Sequence, residues 1–330
     1  MAAPELELSA SFSDNARTRP ILDGAVRAAG MTLYTTVLHP SEMFWRQLHF
    51  EEFDVSEMSI SSLLISAERG DFTWAAVPVF TMRKFFHTSI LVNADAGIAR
   101  PQDLKGKRVG VPEYQQTWAV WSRGVLKDEF GVVPEDIQWF MERGADRSHG
   151  AATGFRPPPG VSVQPVPPDT DIGRMLAEGS LDATLLQLNQ PNLVDRGRGQ
   201  ASAAANVRPL FADPVAEGRR YYAKTGLYPV NHVLVVRRSL LERHPWIALN
   251  LLEAFTAAKD QARLKAEDAL KPYVEAGEGP GAKAAGDPMA YGYKANRAVL
   301  EALSRYQAEQ GLVEAPVDPA TVFARSTLET

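Results

Sequence analysis

The sequence predicts an α/β protein with two lobes. Short apolar runs of strand length alternate with segments of helical periodicity along most of the chain, a pattern typical of layered α/β folds. The 330 residues suffice for two units of ordinary domain size, each with its own core. Hydrophobic residues make up 45% of the chain and charged residues 23%, as expected for a globular protein.

The strands are predicted from apolar runs of four to eight residues, which buried strands require. Pro112 ends one of these runs, because proline cannot donate a hydrogen bond within a sheet. The predicted strands cover residues 6–12, 31–38, 54–58, 74–80, 88–93, 107–111, 137–140, 161–166, 181–188 and 230–237.

The helices are predicted from apolar residues at helical spacing and from capping residues. Ser41 can cap the first of them, and glycine stops the helices that end before Gly70, Gly131 and Gly179. The predicted helices cover residues 41–53, 59–69, 117–130, 169–178, 245–270 and 293–310. Segments 144–160, 197–206 and 276–288 are rich in Gly, Ala and Pro and are interpreted as surface loops without a catalytic signature.

Composition excludes several classes of function. The net charge is −5 and no long basic run occurs, so we expect no nucleic-acid partner. The chain has no cysteine, which excludes disulfides and thiolate catalysis. No run approaches 18 apolar residues, so no membrane span is expected. The N-terminus lacks the basic and apolar segments of a secretory signal, and we therefore expect a cytoplasmic protein.

Several stretches resemble known families. DLKGKRVGVP at 103–112 resembles the start of the second lobe in type II periplasmic binding proteins, including the group related to thiamine-precursor synthesis proteins. Four further blocks resemble the 4,5-dihydroxyphthalate decarboxylase family, and their order is kept between residues 6 and 312. They are FDVSEMSISS (53–62), VPVFTMRKFFHTSILVN (77–93), GVPEYQQTWAVWSRG (110–124) and YYAKTGLYPVNHVLVVRR (221–238).

The resemblance implies a periplasmic-binding-protein-like type II fold, with two mixed sheets, flanking helices and a two-strand hinge. Lobe one would comprise residues 1–93 and 230–330, and lobe two residues 94–229. The ligand would lie in the cleft between the lobes, at the carboxyl ends of strands. The implied activity is the non-oxidative decarboxylation of a small hydroxylated aromatic carboxylate. It would need no cofactor and no metal, and the chain would form a homo-oligomer.

The sequence departs from the family pattern at two places. Phe86 stands where the family tends to have an arginine, and the run 187–191 (QLNQP) lacks an arginine before its proline. Losing two cations would weaken the binding of a dianion, so the number of carboxylates on the substrate stays open.

The implied reaction needs a proton donor. An aryl carboxylate loses carbon dioxide slowly, because the electrons left behind occupy an orbital outside the ring π system. Protonation of the carboxyl-bearing carbon avoids this, and a hydroxyl para to that carbon stabilises the intermediate. A proton donor, a base and cationic anchors therefore suffice.

His87, Glu113 and His232 are the predicted catalytic residues. His87 precedes the first crossing between lobes and is the first candidate for the proton donor, with a structural cap as the alternative. Glu113 lies in a loop between a strand and a helix and is predicted to act as a base, unless it only complements the helix dipole. His232 lies at the second crossing as a partner base or a buried hinge histidine. We expect these groups to converge on one cleft.

The remaining predicted site residues bind substrate. Arg83 and Arg123 are candidate carboxylate anchors, because guanidinium matches a carboxylate with two hydrogen bonds; a surface ion pair is the alternative for each. Ring hydroxyls are assigned to Glu57 and Ser59, although Ser59 suits a helix N-cap equally well. The loop after the strand at 107–111 adds further donors and acceptors: Tyr114, Gln115 and Thr117.

Other functions stay open at this point. The implied fold mostly binds solutes without catalysis, so the alternative is a non-catalytic binding protein for a small carboxylate or heterocycle. A related lyase or hydrolase acting on another ring acid is a third possibility. The six histidines show no spacing typical of a metal site, and a site from His87, His232 and Glu113 would require the fold to bring the three together.

Overall fold

The structure, a computed structural model, describes residues 5–197, 201–275 and 289–330. Two separate sheets form the centres of two lobes. The predicted loop at 276–288 lies outside the described residues. None of the helices within the described ranges is both long and apolar enough to cross a membrane.

The first sheet has five strands in the order β2-β1-β3-β11-β4. The strands are β1 (Leu6–Phe12), β2 (Met31–Val37), β3 (Val55–Ser59), β4 (Trp74–Arg83) and β11 (Val230–Arg237). β1 pairs in parallel with β2 and β3, whereas β11 runs antiparallel to β3 and β4. As a result, the carboxyl ends of β1 to β4 and the start of β11 meet at one edge of the sheet.

The second sheet has six strands in the order β10-β5-β9-β6-β7-β8. The strands are β5 (Leu91–Asn93), β6 (Arg108–Val111), β7 (Gln138–Met141), β8 (Ser162–Pro165), β9 (Ala183–Thr184) and β10 (Val207–Pro209). β9, β6, β7 and β8 are parallel, and β5 is antiparallel to both of its neighbours. The carboxyl ends of the parallel strands face the corresponding edge of the first sheet.

Ten helices cover the sheets within the described ranges. They are α1 (Arg19–Leu22), α2 (Pro40–Phe50), α3 (Ile60–Glu68), α4 (Thr117–Phe130), α5 (His149–Thr153), α6 (Ile172–Ala177), α7 (Pro214–Thr225), α8 (Arg238–Arg243), α9 (Ile247–Glu275) and α10 (Tyr293–Glu309). α4 ends at Gly131, whose φ of 67° is accessible to glycine at little cost. α10 packs against α3 and α4 and thus contacts both lobes.

The chain passes twice between the sheets, between Arg83 and Leu91 and again between Pro209 and Val230. Both passages connect to the adjacent strands β4 and β11. Residues 91–93, assigned to lobe one from the sequence, belong to the second sheet, because β5 pairs with β9 and β10.

The sequence-based boundaries agree with most of these elements, and three differences matter for the site. Residues 86–89 form a 3-10 turn instead of the start of a strand. The predicted strand at 181–188 is reduced to two residues, and the polypeptide after Thr184 forms a loop at the cleft. α5 lies within the segment 144–160 that was interpreted as a loop.

Candidate active site

A cavity of about 410 Å³ lies between the lobes, at the facing edges of the two sheets. Its walls come from the last residues of β3 and β4, from the segments that follow β1, β2, β6, β7 and β9, and from the first residues of β11. Ligands of open α/β sheets bind at this position, outside the carboxyl ends of the strands. The volume suits a small aromatic molecule.

A carboxylate–histidine pair forms the wall of lobe one. Register places His232 of β11 opposite Ser59 of β3, and Glu57 lies two residues earlier on β3. The Nδ1 atom of His232 is 3.2 Å from Oε2 of Glu57. The second ring nitrogen, Nε2, is 2.9 Å from the side-chain amide nitrogen of Asn231, which lines the cavity beside it. Phe44 contacts the same imidazole edge-on, with ring centroids 4.8 Å apart, and this contact fixes the plane of the ring.

Glu57 is fully buried and held by four hydrogen bonds. The backbone N–H and hydroxyl of Ser13 donate to Oε1 at 2.8 and 2.6 Å, and the Thr81 hydroxyl donates to Oε2 at 2.7 Å. Burial works against ionisation, but His232 and these donors together hold the pKa of Glu57 below its ordinary value. A negative charge therefore lies behind His232 and orients the ring through Nδ1.

Arg17 is the cation on this wall that lacks a carboxylate partner. It follows β1, and its guanidinium donates to the backbone carbonyl of Thr81 at 2.7 Å. Within the described part of the chain no acidic side chain pairs with it, and its buried Nε has no acceptor. An unpaired guanidinium edge on a cavity wall is a suitable anchor for a carboxylate.

Arg143, which follows β7, is the corresponding cation of lobe two, but it is neutralised. Its side chain is buried and pairs with Glu113 at 3.2 Å and with Asp195 at 2.7 Å. Its remaining donor reaches the hydroxyl of Ser41 at 2.8 Å, in the first turn of α2 on the other lobe. Arg143 therefore fixes the two lobes against each other.

Two further histidines approach the cavity beside Arg143. His149 begins α5, and its Nε2 is 3.0 Å from the backbone carbonyl of Ser41. Burial, and then the charge of Arg143, lower the pKa of His149 to about 4, so it is neutral near pH 7. Burial also lowers the pKa of His39, which caps α2 by accepting from the Ser41 N–H at Nδ1. Both rings are neutral hydrogen-bonding groups rather than anion anchors.

The first turn of α4 closes the cavity from the side of lobe two. Gln116 and Trp118 line it here, and each carries a buried polar atom without a partner: Oε1 of Gln116 and Nε1 of Trp118. A helix N-terminus also leaves its first N–H groups without intrahelical acceptors. Buried polar groups in native proteins are nearly always paired, so these atoms indicate that a ligand completes this wall.

The structure separates the three predicted catalytic residues. His232 lines the cavity as expected. His87 does not: the 3-10 turn at 86–89 directs its ring into lobe two, where Nε2 is 3.1 Å from Glu217 and the ring packs on Phe211 and Tyr221. Its side chain has no exposed surface. The expectation that His87 faces the cleft is therefore corrected.

Glu113 lies behind the wall and not on it. Its carboxylate accepts from the hydroxyl of Ser148 and from the backbone N–H groups of His149 and Gly150, at 3.0 and 2.8 Å for the two amides. Burial opposes its ionisation, but the His149 ring, Arg143 and these donors hold the pKa of Glu113 below its ordinary value. It orients α5 and Arg143, and it has no exposed surface for a substrate proton.

The two predicted arginine anchors are structural. Arg123 is buried, donates to Gln310 and to the carbonyl of Tyr114, and lies 3.7 Å from the Tyr114 ring centroid. Arg83 donates to the carbonyls of Tyr228 and Ala290. Neither reaches the cavity, because both hold α10 or its flanking residues to the strands and helices beneath. Tyr114 is itself stacked on Phe155 in the core.

The polar loop before α4 and the first residue of that helix join the lobes. Thr117 exchanges a 2.8 Å hydrogen bond with the hydroxyl of Ser59 and accepts from the Ser61 N–H at 3.0 Å. The Gln115 carbonyl accepts from the Ser61 hydroxyl at 2.6 Å. Ser59 also caps α3 and lines the cavity, whereas Gln115 and Thr117 lie at the interface next to it.

Sequence reasoning missed Arg17, His39, Arg143 and His149. Three of them follow a parallel strand within about five residues, and that position was the available signal, because loops after parallel strands face the cleft. His149 gave no comparable signal within its Gly- and Ala-rich segment. Among the residues in the three described ranges, no group of three His, Asp or Glu side chains is arranged to hold a metal ion.

Comparison with known proteins agrees with this fold and adds an activity. The family model for periplasmic substrate-binding proteins of phosphonate ABC transporters matches residues 16–153. The alkanesulfonate-binding protein SsuA from Xanthomonas axonopodis pv. citri, solved with MOPS bound, superposes with a TM-score of 0.58 at 13% identity and covers 98% of this chain and 99% of its own. The desulfurization enzyme DSZB superposes with a TM-score of 0.54 at 16% identity, covering 97% of each chain. These likenesses show the periplasmic-binding-protein-like fold.

Two curated relatives carry the activity. The 4,5-dihydroxyphthalate decarboxylase of Comamonas testosteroni is 35% identical over 332 residues, which cover 99% of this chain and 98% of that protein. The enzyme of the same name from Pseudomonas putida is 33% identical over 218 residues, or 66% of this chain and 82% of its own. The chain therefore belongs to the 4,5-dihydroxyphthalate decarboxylase family and is a decarboxylase with a periplasmic-binding-protein-like fold.

Proposed function

We propose that the protein decarboxylates a hydroxylated aromatic acid of the 4,5-dihydroxyphthalate type in the cavity between the lobes, by protonating the ring carbon that bears the carboxylate. The observation that carries the proposal is the Glu57–His232 pair on the cavity wall, beside an Arg17 guanidinium with no carboxylate partner in the described chain. The names of the two curated relatives supply the substrate class.

His232 is the proton donor in this proposal. The Asn231 amide, 2.9 Å from Nε2 of His232, gives up this contact when substrate binds. The imidazolium then transfers its Nε2 proton to the ring carbon, and the para hydroxyl stabilises the resulting cationic ring. The bond to the carboxyl carbon then breaks, its electron pair restores the aromatic ring, and carbon dioxide leaves. The reaction consumes one proton from solvent through His232. With 4,5-dihydroxyphthalate the product is 3,4-dihydroxybenzoate.

Charge placement supports this assignment of roles. Glu57 stabilises the imidazolium that must exist before proton transfer, because its buried carboxylate contacts the opposite ring nitrogen at 3.2 Å. Arg17 binds a carboxylate of the substrate next to this pair. It donates a hydrogen bond to the Thr81 carbonyl, and the Thr81 hydroxyl donates to Glu57. The neutral rings of His39 and His149 offer hydrogen bonds to ring hydroxyls without adding charge.

Three histidine variants test the proposal against the assignment made from the sequence. His232→Gln removes the acid and should lower kcat about 10²- to 10⁴-fold. His87→Gln should retain kcat within the same order of magnitude, because His87 has no surface on the cavity. His49→Gln, on an exposed face of α2, is the matched control. The assay is carbon dioxide release from a panel of hydroxylated benzoates and phthalates.

The proton's route has its own test. In D2O the product should carry one deuterium at the ring carbon that lost the carboxylate, measured by NMR. If the wild type releases no carbon dioxide from any acid of the panel, the substrate class is wrong. If His232→Gln is fully active and His87→Gln is inactive, the proton donor is the residue chosen from the sequence, and the catalytic role of His232 is refuted.

A further inference from the structure

A second recess of about 440 Å³ opens beside the main cavity. The two share part of their walls, including Trp118, Leu186 and Gln187, so the recess lies at the mouth of the cavity. Part of its wall is formed by Lys84, Thr88 and Ser89, which follow β4. Lys84 and Trp118 therefore lie where the recess and the cavity adjoin.

Lys84 directs its charge toward the shared wall. Its Nζ lies over the ring of Trp118, 4.9 Å from the centroid. No Asp or Glu of the described chain lies within ion-pair distance of it, whereas Arg143 of the same cleft has two such partners. Burial lowers the pKa of Lys84, and an anion bound beside it would reverse that shift.

Trp118 supplies the second, independent observation. Its side chain is more than nine-tenths buried, it lines both the cavity and the recess, and its Nε1–H has no acceptor. The indole N–H can only donate, so the partner it lacks is a hydrogen-bond acceptor. An ammonium over the ring and a free N–H at its edge together define a place for an oxyanion.

We propose that Lys84 and Trp118 form a second carboxylate subsite, distinct from Arg17, which makes the enzyme prefer aromatic dicarboxylates over monocarboxylates. The inference rests on the proposed function for its ligand class. Arg17 belongs to lobe one and Trp118 to the first turn of α4 in lobe two, so a diacid held by both bridges the cleft. A monoacid satisfies one subsite and leaves the other empty.

The test measures binding of acids that this chemistry does not decarboxylate, so that it is separate from turnover. Phthalate and benzoate lack hydroxyls, and their affinities are measured by isothermal titration calorimetry. The wild type should bind phthalate about 10- to 100-fold more tightly than benzoate, as expected for an added charge-assisted contact. Lys84→Gln should reduce this ratio to within about threefold and leave the benzoate affinity unchanged.

Two further variants sharpen the result. Trp118→Phe keeps an aromatic ring and removes the N–H, so it should lower the affinity for phthalate more than the affinity for benzoate. Lys265→Gln, on an exposed face of α9, should behave as wild type. A Lys84→Gln protein that keeps the full preference for phthalate overturns the subsite, as does a wild type that binds neither acid. If the wild type prefers phthalate but releases no carbon dioxide from 4,5-dihydroxyphthalate, the proposed reaction alone is refuted and the subsite stands.

Discussion

Replacing His149 by glutamine tests how much the neutral histidine beside the cavity contributes to the pH dependence of stability. The pKa of His149 is lowered from 6.5 to about 4 by burial and by Arg143. The unfolded chain therefore binds this proton at a higher pH than the folded chain does. The stability that depends on the neutral ring is complete above pH 6.5 and is lost as the pH falls towards 4.

The magnitude follows from the same two values. One pKa unit corresponds to about 1.36 kcal/mol, so the difference between 6.5 and about 4 amounts to about 3 kcal/mol for the single site. His149 is buried, so solvent screening reduces this figure little. The pKa values of Glu113 and Asp195 lie below their ordinary values, and these carboxylates therefore titrate mainly below about pH 4.5.

Urea unfolding between pH 7 and 4.5 separates these contributions. The wild type should lose about 2–3 kcal/mol over this range, and His149→Gln should lose markedly less, because the glutamine amide can still donate to the Ser41 carbonyl without titrating. A small slope remains in the variant, since His39 also has a lowered pKa. His49→Gln should keep the wild-type slope. An equal slope in wild type and His149→Gln would refute the reasoning.

Two further variants test the site and the core. Glu57→Gln removes the charge that stabilises the His232 imidazolium and should lower kcat about 10²- to 10³-fold in the carbon dioxide assay. The control is Asp182→Asn, which removes a carboxylate paired with an arginine away from the cavity and should lower stability without this loss of activity. Equal activity losses in both variants would contradict a specific role for Glu57. Gly124→Ala places a methyl group against the ring of Tyr306 and should lower stability by about 1–3 kcal/mol; a variant with an unchanged melting temperature would show that α10 can move away.

The regular elements were predictable because their burial follows their periodicity. β11 is apolar at five of its seven buried positions, and α4 begins and ends at the predicted residues. α7 was not predicted, since only Gly218 and Tyr221 of its twelve residues are buried and no apolar stripe marks it. The strand predicted at 181–188 is longer than the observed β9 because apolar residues continue beyond it. Leu185 and Leu186 are buried in the core, but their backbone is not in a strand.

His87 shows why the site was harder to predict than the fold. If a strand began at residue 88, as predicted, the preceding His87 would face the cleft. Instead, the 3-10 turn at 86–89 directs its ring toward α7, where Nε2 contacts Glu217. A turn of four residues leaves no periodic signal in a sequence. The direction of a side chain within such a turn depends on long-range partners, and Glu217 lies 130 residues away.

The buried carboxylates of this protein act on other side chains instead of on substrate. Glu57 and Glu113 were both assigned from the sequence to the ligand, yet each is fully buried with its oxygens occupied by protein donors. Their remaining contacts orient His232 in one lobe and Arg143 in the other. An exposed carboxylate near an anionic acid would repel it, whereas a buried one keeps its negative charge behind a cationic or titratable group. For a cavity that must bind an anion in a chain of net charge −5, this arrangement places the positive groups toward the ligand and the negative groups away from it.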